Sequence, residues 1–315
     1  MIAHACNCED YSKNGKSRKG EQRFRCKDCG RRWTESRIRP LDDMRIELDR
    51  AALAIQLLVE GSSIRSASRI TKPSQDTISS LILTVGAKCA KFLAKTVTEV
   101  ECSYVEADEV WSFIGMKEKT RKKLGYGNEF GDSWTFVAID RETKLVLAHH
   151  VADRSLEASY IFLEKLNEAT TGRFQLTTDG WHGYTTAVPM TFGKRVDFAQ
   201  LIKSYEKEQQ VVRYSPAKIK SIEKVPRFGE PDLSMCSTSF IENWNLQLRM
   251  SNRRHTRLTN AFSKSKTHHI AMQAIFVAAY NFCRHHGTLK TSPAVAIGLT
   301  DSIWSIDRLL AEAAR

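Results

Sequence analysis

The chain has 315 residues, with 48 Lys plus Arg against 36 Asp plus Glu and a net charge of +12. An apolar share of 42% is enough for sizeable cores, which excludes a largely disordered polymer, and the length points to two or more domains. No run approaches the ~18 consecutive apolar residues of a membrane span, and the first residues lack a basic start followed by an apolar signal core. The reading is therefore a cytoplasmic protein with no membrane partner. Its excess positive charge favours polyanions, because Lys and Arg release condensed counterions from phosphates.

The eight cysteines are unevenly spread. Cys6, Cys8, Cys26 and Cys29 crowd the start, whereas Cys89, Cys102, Cys236 and Cys283 stand singly, as ordinary buried thiols do. Residues 1–38 are basic, punctuated by Gly15 and Gly20, and too poor in aliphatics to build a core unaided. Bound Zn²⁺ would supply the missing folding energy. Residues 22–25 read as a strand running into Cys26-Lys27-Asp28-Cys29-Gly30, a Cys-x-x-Cys-Gly turn that points both sulfurs at one ion, with Trp33 packing beneath. In the first pair a single residue, Asn7, separates Cys6 from Cys8, so either both thiolates bind or His4 replaces one of them. Lys13, Arg23 and Arg25 are the candidate DNA contacts of this zinc ribbon.

Residues 41–95 switch to helical periodicity. Ile46, Leu48, Ala51, Ala52, Ile55, Leu58 and Val59 share one face; Gly61-Ser62-Ser63 then breaks the pattern before a short helix over 64–70. Lys72-Pro73-Ser74 makes a second break, and Ser74 can cap a third helix that exposes Gln75, Asp76, Thr77, Ser79 and Ser80. Two short helices joined by a tight polar turn outline a helix-turn-helix, in which Gln75 and Thr77 would read DNA.

From residue 103 the period becomes that of strands. Residues 103–114, 133–139 and 145–151 predict three consecutive antiparallel strands, the last two joined by the turn at 140–143. Ser155 caps a helix carrying Ala158, Ile161, Phe162 and Leu166, and residues 173–178 form a fourth strand ending in Asp179-Gly180. A short helix at 182–188 and a fifth strand at 196–203 follow. Residues 213–227 read as an irregular basic stretch, 238–249 as a helix, and 265–285 and 294–314 as final helices.

Three acidic residues stand out by position. Asp108 lies inside the first of these strands among apolar neighbours, Asp179 closes the fourth, and Glu242 lies on the later helix. Two strands and a crossing helix can bring such carboxylates to one point, where hard oxygen ligands suit Mg²⁺ or Mn²⁺ rather than zinc. Paired ions of this kind activate a water or a 3′-hydroxyl and stabilise the leaving oxygen of a phosphodiester. Glu106 and Glu109 flank Asp108, and a phase error of one residue would exchange their roles. Asn245 and Arg249 recur at i+3 and i+7 from Glu242, a spacing for contacts to substrate phosphate, with Arg253 just beyond.

These residues resemble bacterial insertion-sequence transposases of the insertion-sequence-one type. The resemblance runs through Lys13-Asn14-Gly15, Gln22 to Gly30, the helix-turn-helix, Ala107-Asp108-Glu109-Val110-Trp111, Thr178-Asp179-Gly180 and the segment 238–249. One departure is at the start, where the family has Cys-x-x-Cys and this chain has Ala5 two before Asn7. The resemblance implies a multi-domain α/β protein: a zinc ribbon over 1–38, a helix-turn-helix domain over 41–95, a ribonuclease-H-like mixed-sheet catalytic domain over 102–290, and a helical tail over 291–315. It implies that Asp108, Asp179 and Glu242 form a DDE metal triad and that Arg249 contacts DNA. The expected activity is DNA transposition by Mg²⁺- or Mn²⁺-dependent strand cleavage and strand transfer at terminal inverted repeats. A homodimer or larger synaptic assembly would hold the DNA, in the cytoplasm of a bacterium at its nucleoid. The rival reading is a non-catalytic, sequence-specific DNA-binding regulator, which has no need of mutually repelling carboxylates.

Overall fold

The computed structural model describes residues 6, 10–18, 20–34, 39–205 and 219–315. Cys8, His4 and residues 213–218 of the basic stretch thus fall outside the described residues.

A three-stranded antiparallel sheet comes first, formed by β1 (Tyr11–Lys16), β2 (Gln22–Cys26) and β3 (Arg32–Thr34). Alternation on β2 buries Phe24 and Cys26 and exposes Arg23 and Arg25. Phe24 stacks on Trp33 at 5.8 Å, and Tyr11 meets Phe24 edge-on at 5.4 Å. Among the described residues this aromatic trio and Cys26 make the core of the small sheet.

Next come α1 (Leu48–Val59), α2 (Ile64–Thr71) and α3 (Gln75–Thr96). Ser63 and Ser74 cap the last two, their Oγ atoms accepting from the backbone N–H of Ser66 and Thr77 at 3.1 Å. Lys72 ends α2 in the left-handed region at φ 78°. By length and composition α3 is apolar enough to cross a membrane. It is instead a core helix, burying Ile78, Leu81, Ile82, Val85, Cys89 and Leu93.

The central sheet follows β4 (Val100–Glu101): β5 (Tyr104–Ile114), α4 (Glu118–Leu124), β6 (Gly131–Asp140), β7 (Val146–Ala152), α5 (Leu156–Ala169), β8 (Thr170–Thr171), β9 (Phe174–Thr178), α6 (Gly183–Phe192), β10 (Val196–Tyr205) and β11 (Ile219–Phe228). Its strand order is β11-β10-β9-β5-β6-β7, with β4 and β8 paired separately. Strands β5, β6 and β7 are antiparallel neighbours; β9 runs parallel to β5, and β10 parallel to β9. The molecule is thus mixed α/β, with helices packed on a mixed sheet.

The chain closes with α7 (Ser239–Ser251), α8 (Lys266–Phe282), α9 (Pro293–Ala296) and α10 (Ile306–Glu312). Buried residues from Leu41 in the helical region, through the sheet, to Ala313 near the end join one continuous hydrophobic core. Asn281 ties α8 to β7, its side-chain amide exchanging two 2.9 Å hydrogen bonds with the backbone of Val146.

Three local expectations are corrected. Within the basic stretch read as irregular, β11 forms an antiparallel edge to β10, with Ile202 opposite Glu223. Both its faces are largely solvated and it carries Lys220, Lys224 and Pro226, so it lacks the alternation of a half-buried strand. The single helix read over 294–314 is two short ones, because Gly298 at φ +82° ends the first. The helix α4 was not anticipated; it has no buried residue, ends at Gly125 (φ 70°) and has no apolar stripe to announce it.

Helices α3 and α8 approach closely at Gly86, where an added Cβ would meet Ala271 Cβ at 2.5 Å and its Cα at 2.6 Å. Gly86→Ala should lower stability by about 1–3 kcal/mol, since overpacking outweighs the ~1 kcal/mol gained in helix propensity. Urea unfolding of the two proteins measures this, and an equally stable or more stable variant would contradict the packing described.

Candidate metal centres and their surroundings

Register builds the acidic site. On the parallel pair β5 and β9, Ala107 opposite Thr178 is the last matched pair. The next residue on each strand is an aspartate, so Asp108 and Asp179 emerge at the same end of the sheet. Carboxylate oxygens of Asp108, Glu109 and Asp179 lie within 4.8 Å of one another.

Strand alternation sends neighbours to opposite faces. Asp108 turns towards α7, where Asn245 Nδ2 donates to its Oδ2 at 2.7 Å. Glu106, two residues earlier, faces the same way and accepts from the backbone N–H of Phe240 and Ile241 at 2.9 and 3.0 Å. A buried carboxylate thereby satisfies the exposed donors of the first turn of α7 and fixes that helix over β5. Glu109 points to the other face, where Arg154 Nη2 and Nε donate to its Oε2 at 2.8 and 3.1 Å. The same Nη2 reaches Asp179 Oδ2 at 3.3 Å. The guanidinium itself is clamped between indoles, 4.7 Å from the ring centroid of Trp134 and 4.3 Å from that of Trp181.

Burial is the main electrostatic fact here. It pushes the Asp108 carboxyl up to about 7, with the negative charge of Asp179 adding to the effect. The same two causes push Glu109 up to about 8. Crowded carboxylates of this kind are costly to ionise without a cation between them.

Glu242 is on α7 as the sequence suggested but does not join this cluster. Its Oε1 is ion-paired with Lys203 of β10 and accepts from Thr238 Oγ1 at 2.5 Å. The third acidic member of the group is Glu109 instead. Asn245 is buried against Asp108 rather than free on the helix surface, while Arg249, one further turn along, is half-buried; burial and the nearby Arg257 lower its pKa. Arg253 and Gln75 are exposed and Thr77 is partly so. Lys13, Arg23 and Arg25 are exposed on the small sheet. Arg154 and Lys203 escaped the sequence reading. Each is a lone cation beside a strand end, a pattern that acquires meaning only once the sheet is assembled.

At the other site the sulfurs of Cys6, Cys26 and Cys29 lie within 4.8 Å of one another. Gly30, at φ +69°, closes the Cys26–Cys29 turn, and its N–H donates to Cys26 O at 3.2 Å. The Cys26 thiol is lowered to about 7, chiefly by the backbone N–H of Cys29. Three convergent thiols, one favoured as thiolate, are compatible with a zinc site. Cys8 and His4, the alternatives for completing it, lie outside the described residues.

Neither a protein-family model nor a curated protein sequence matches the chain. Among solved structures, a piggyBac transposase synaptic complex with hairpin DNA is similar over 88% of this chain and 72% of that one, at 10% identity and a TM-score of 0.39.

Two measurements test these centres. A carboxyl whose folded pKa is raised binds more protons folded than unfolded, so its contribution to stability falls as pH rises towards that pKa. The desolvated His149 and His255, lowered to about 3, His150, lowered to about 4, and the lowered His268, His269 and His286 act in the opposite sense, their gain being largely complete once pH passes 7. The metal-free protein should therefore lose on the order of 1 kcal/mol between about pH 7 and 8.5, and Mn²⁺ should restore stability most at the alkaline end. Thermal melting with and without Mn²⁺ reads this; no drop, or a Mn²⁺ effect independent of pH, would contradict it. Elemental analysis should find about one zinc per chain, lost together with the fold of the small sheet when Cys26 and Cys29 are both replaced by Ser.

Proposed function

We propose that this protein is a DDE-type DNA transposase that cuts and joins DNA strands at an acidic metal site. The observation that carries the reading is the pair of aspartates, Asp108 and Asp179, delivered by register to one end of a mixed sheet, with a third carboxylate, Glu242, on the helix laid across β5. The ribonuclease-H-like description of that sheet belongs to the same proposal. It is supported by the sequence of three antiparallel strands, a helix and two further parallel strands.

The donor set fits a hard divalent ion: the available atoms are carboxylate oxygens, and they converge within 4.8 Å. Asp108 and Asp179 would hold Mg²⁺ or Mn²⁺, with Glu242 joining them when released from Lys203. Bound there, such an ion supplies charge compensation for a phosphodiester and lowers the pKa of a bound water or 3′-hydroxyl. The protein's part is positioning. Asn245 orients Asp108 by donating to Oδ2, Glu106 fixes α7 over β5 so that Asn245 faces the strand end, and Arg154 braces Asp179 through its salt bridge. Arg249, desolvated near Asp108, would meet substrate phosphate. The zinc ribbon and the exposed start of α3, with Gln75 and Thr77, would recognise the terminal repeats, and two copies of the chain would pair the two ends in the bacterial cytoplasm.

Asp108→Asn, Asp179→Asn and Glu242→Gln should each reduce Mg²⁺-dependent strand cleavage and joining by at least about a thousandfold while retaining DNA binding. Cleavage of labelled element-end DNA by the purified proteins measures this. Retained cleavage in any of the three removes that residue from the catalytic set, and wild-type binding without cleavage would favour the DNA-binding regulator.

A further inference from the structure

A second site opens on the side of α3 that packs over α8. It is a cleft of about 790 Å³ between the start of α2, the first turns of α3 and the segment that follows α7. Four cationic side chains line it, Arg65, Arg253, Arg254 and Lys264, and no carboxylate among the described residues does. The chain has 36 acidic residues, so a pocket with four cations and no acid is not an average sample of its surface.

Arg254 makes the charge more than a solvated fringe. Its guanidinium is largely withdrawn from water, which lowers its pKa to about 10. Its side-chain hydrogen bond is to Ser263 Oγ at 3.3 Å, and among the described residues it has no ion pair. A half-buried, desolvated cation without a counter-charge is expensive unless an anion arrives. A second side chain points the same way: Asn252, 1% exposed and lining the cleft, has a buried Nδ2 with no hydrogen-bond partner. The capped N-termini of α2 and α8, at Ser63 and Ser265, open on the same space and add their partial positive charge.

We propose that this cleft grips the phosphodiester backbone of a DNA strand, with Arg254 as its inner cation and Arg65 and Lys264 at its rim. The proposal rests on the reading of the chain as a DNA-acting protein and adds a grip separate from the acidic cluster. Gln75, at the exposed start of α3, lines the same cleft, and Asn252 immediately follows α7. A backbone seated there would therefore run from the helix-turn-helix towards the helix that bears Glu242. The ligand chemistry is that of consecutive phosphate monoanions, met by N–H donors and positive charge without base-edge readout.

Binding without divalent metal isolates this grip from catalysis. A short mixed-sequence DNA duplex carrying a fluorophore is titrated with the full chain in EDTA, by fluorescence anisotropy, across a potassium chloride series. Arg254→Met should weaken binding about tenfold or more, and Arg65→Gln and Lys264→Gln less; each should reduce the slope of log affinity against log salt by about one. Arg254→Met should melt at the same temperature as the wild type or higher, because it removes an uncompensated buried charge. Wild-type affinity and slope in Arg254→Met would overturn the proposal. So would a lower melting temperature in that variant combined with unchanged binding by Arg65→Gln and Lys264→Gln, which would make Arg254 structural. Because no step of the assay requires cleavage, failure of the transposase reading would leave these outcomes unaffected.

Discussion

Three carboxylates meet where β9 ends against β5, and among the described residues one cation is ion-paired with them, Arg154, clamped between Trp134 and Trp181. Much else follows from that imbalance. Arg154 donates to Glu109 and reaches Asp179, while among the described residues Asp108 accepts from neutral donors, the amide of Asn245 and the backbone N–H of Glu109. The unmet charge is concentrated on the α7 face of the sheet, where burial already holds Asp108 near neutral pH. A divalent ion is the natural complement to such a site, and its binding would reverse the cost of ionisation that the fold imposes.

The scaffold is arranged to keep that end of the sheet fixed. Parallel pairing of β5 with β9 sets the two aspartates level with each other. Glu106 spends its buried carboxylate on the first backbone amides of α7, so the helix carrying Glu242, Asn245 and Arg249 cannot slide along the sheet without orphaning a charge. Behind it, α8 packs on α3 at Gly86, and the helical region that presents Gln75 and Thr77 shares the core of the sheet. Rigid coupling of this kind would suit the proposed role of holding one stretch of DNA while acting on another.

Much of this was legible in the sequence because it follows periodicity and capping. The strands β5, β6, β7, β9 and β10 announced themselves by β-branched and aromatic runs, and Ser63, Ser74 and Ser155 marked helix starts. An aspartate inside β5 and another closing β9 drew notice because charge is out of place there. What stayed hidden depends on long-range pairing. Which face of β5 carries Glu109, and that Arg154 serves it, is decided by the antiparallel partner and by α5 and α6. That Glu242 pairs with Lys203 depends on how β10 lies under α7, and nothing within either segment signals it. β11 escaped because an edge strand solvated on both sides has no alternation to show, and the cationic cleft because its lining comes from three separate segments.

The central claim is that Asp108 and Asp179 form a divalent-metal site. A crystal structure of the protein grown with Mn²⁺, with anomalous scattering recorded at the manganese edge, tests it most directly. The account predicts an anomalous peak coordinated by carboxylate oxygens of both Asp108 and Asp179, with the Glu242 carboxylate turned from Lys203 towards the ion. Well-ordered side chains with no peak at that position, and Glu242 still held by Lys203, would contradict it.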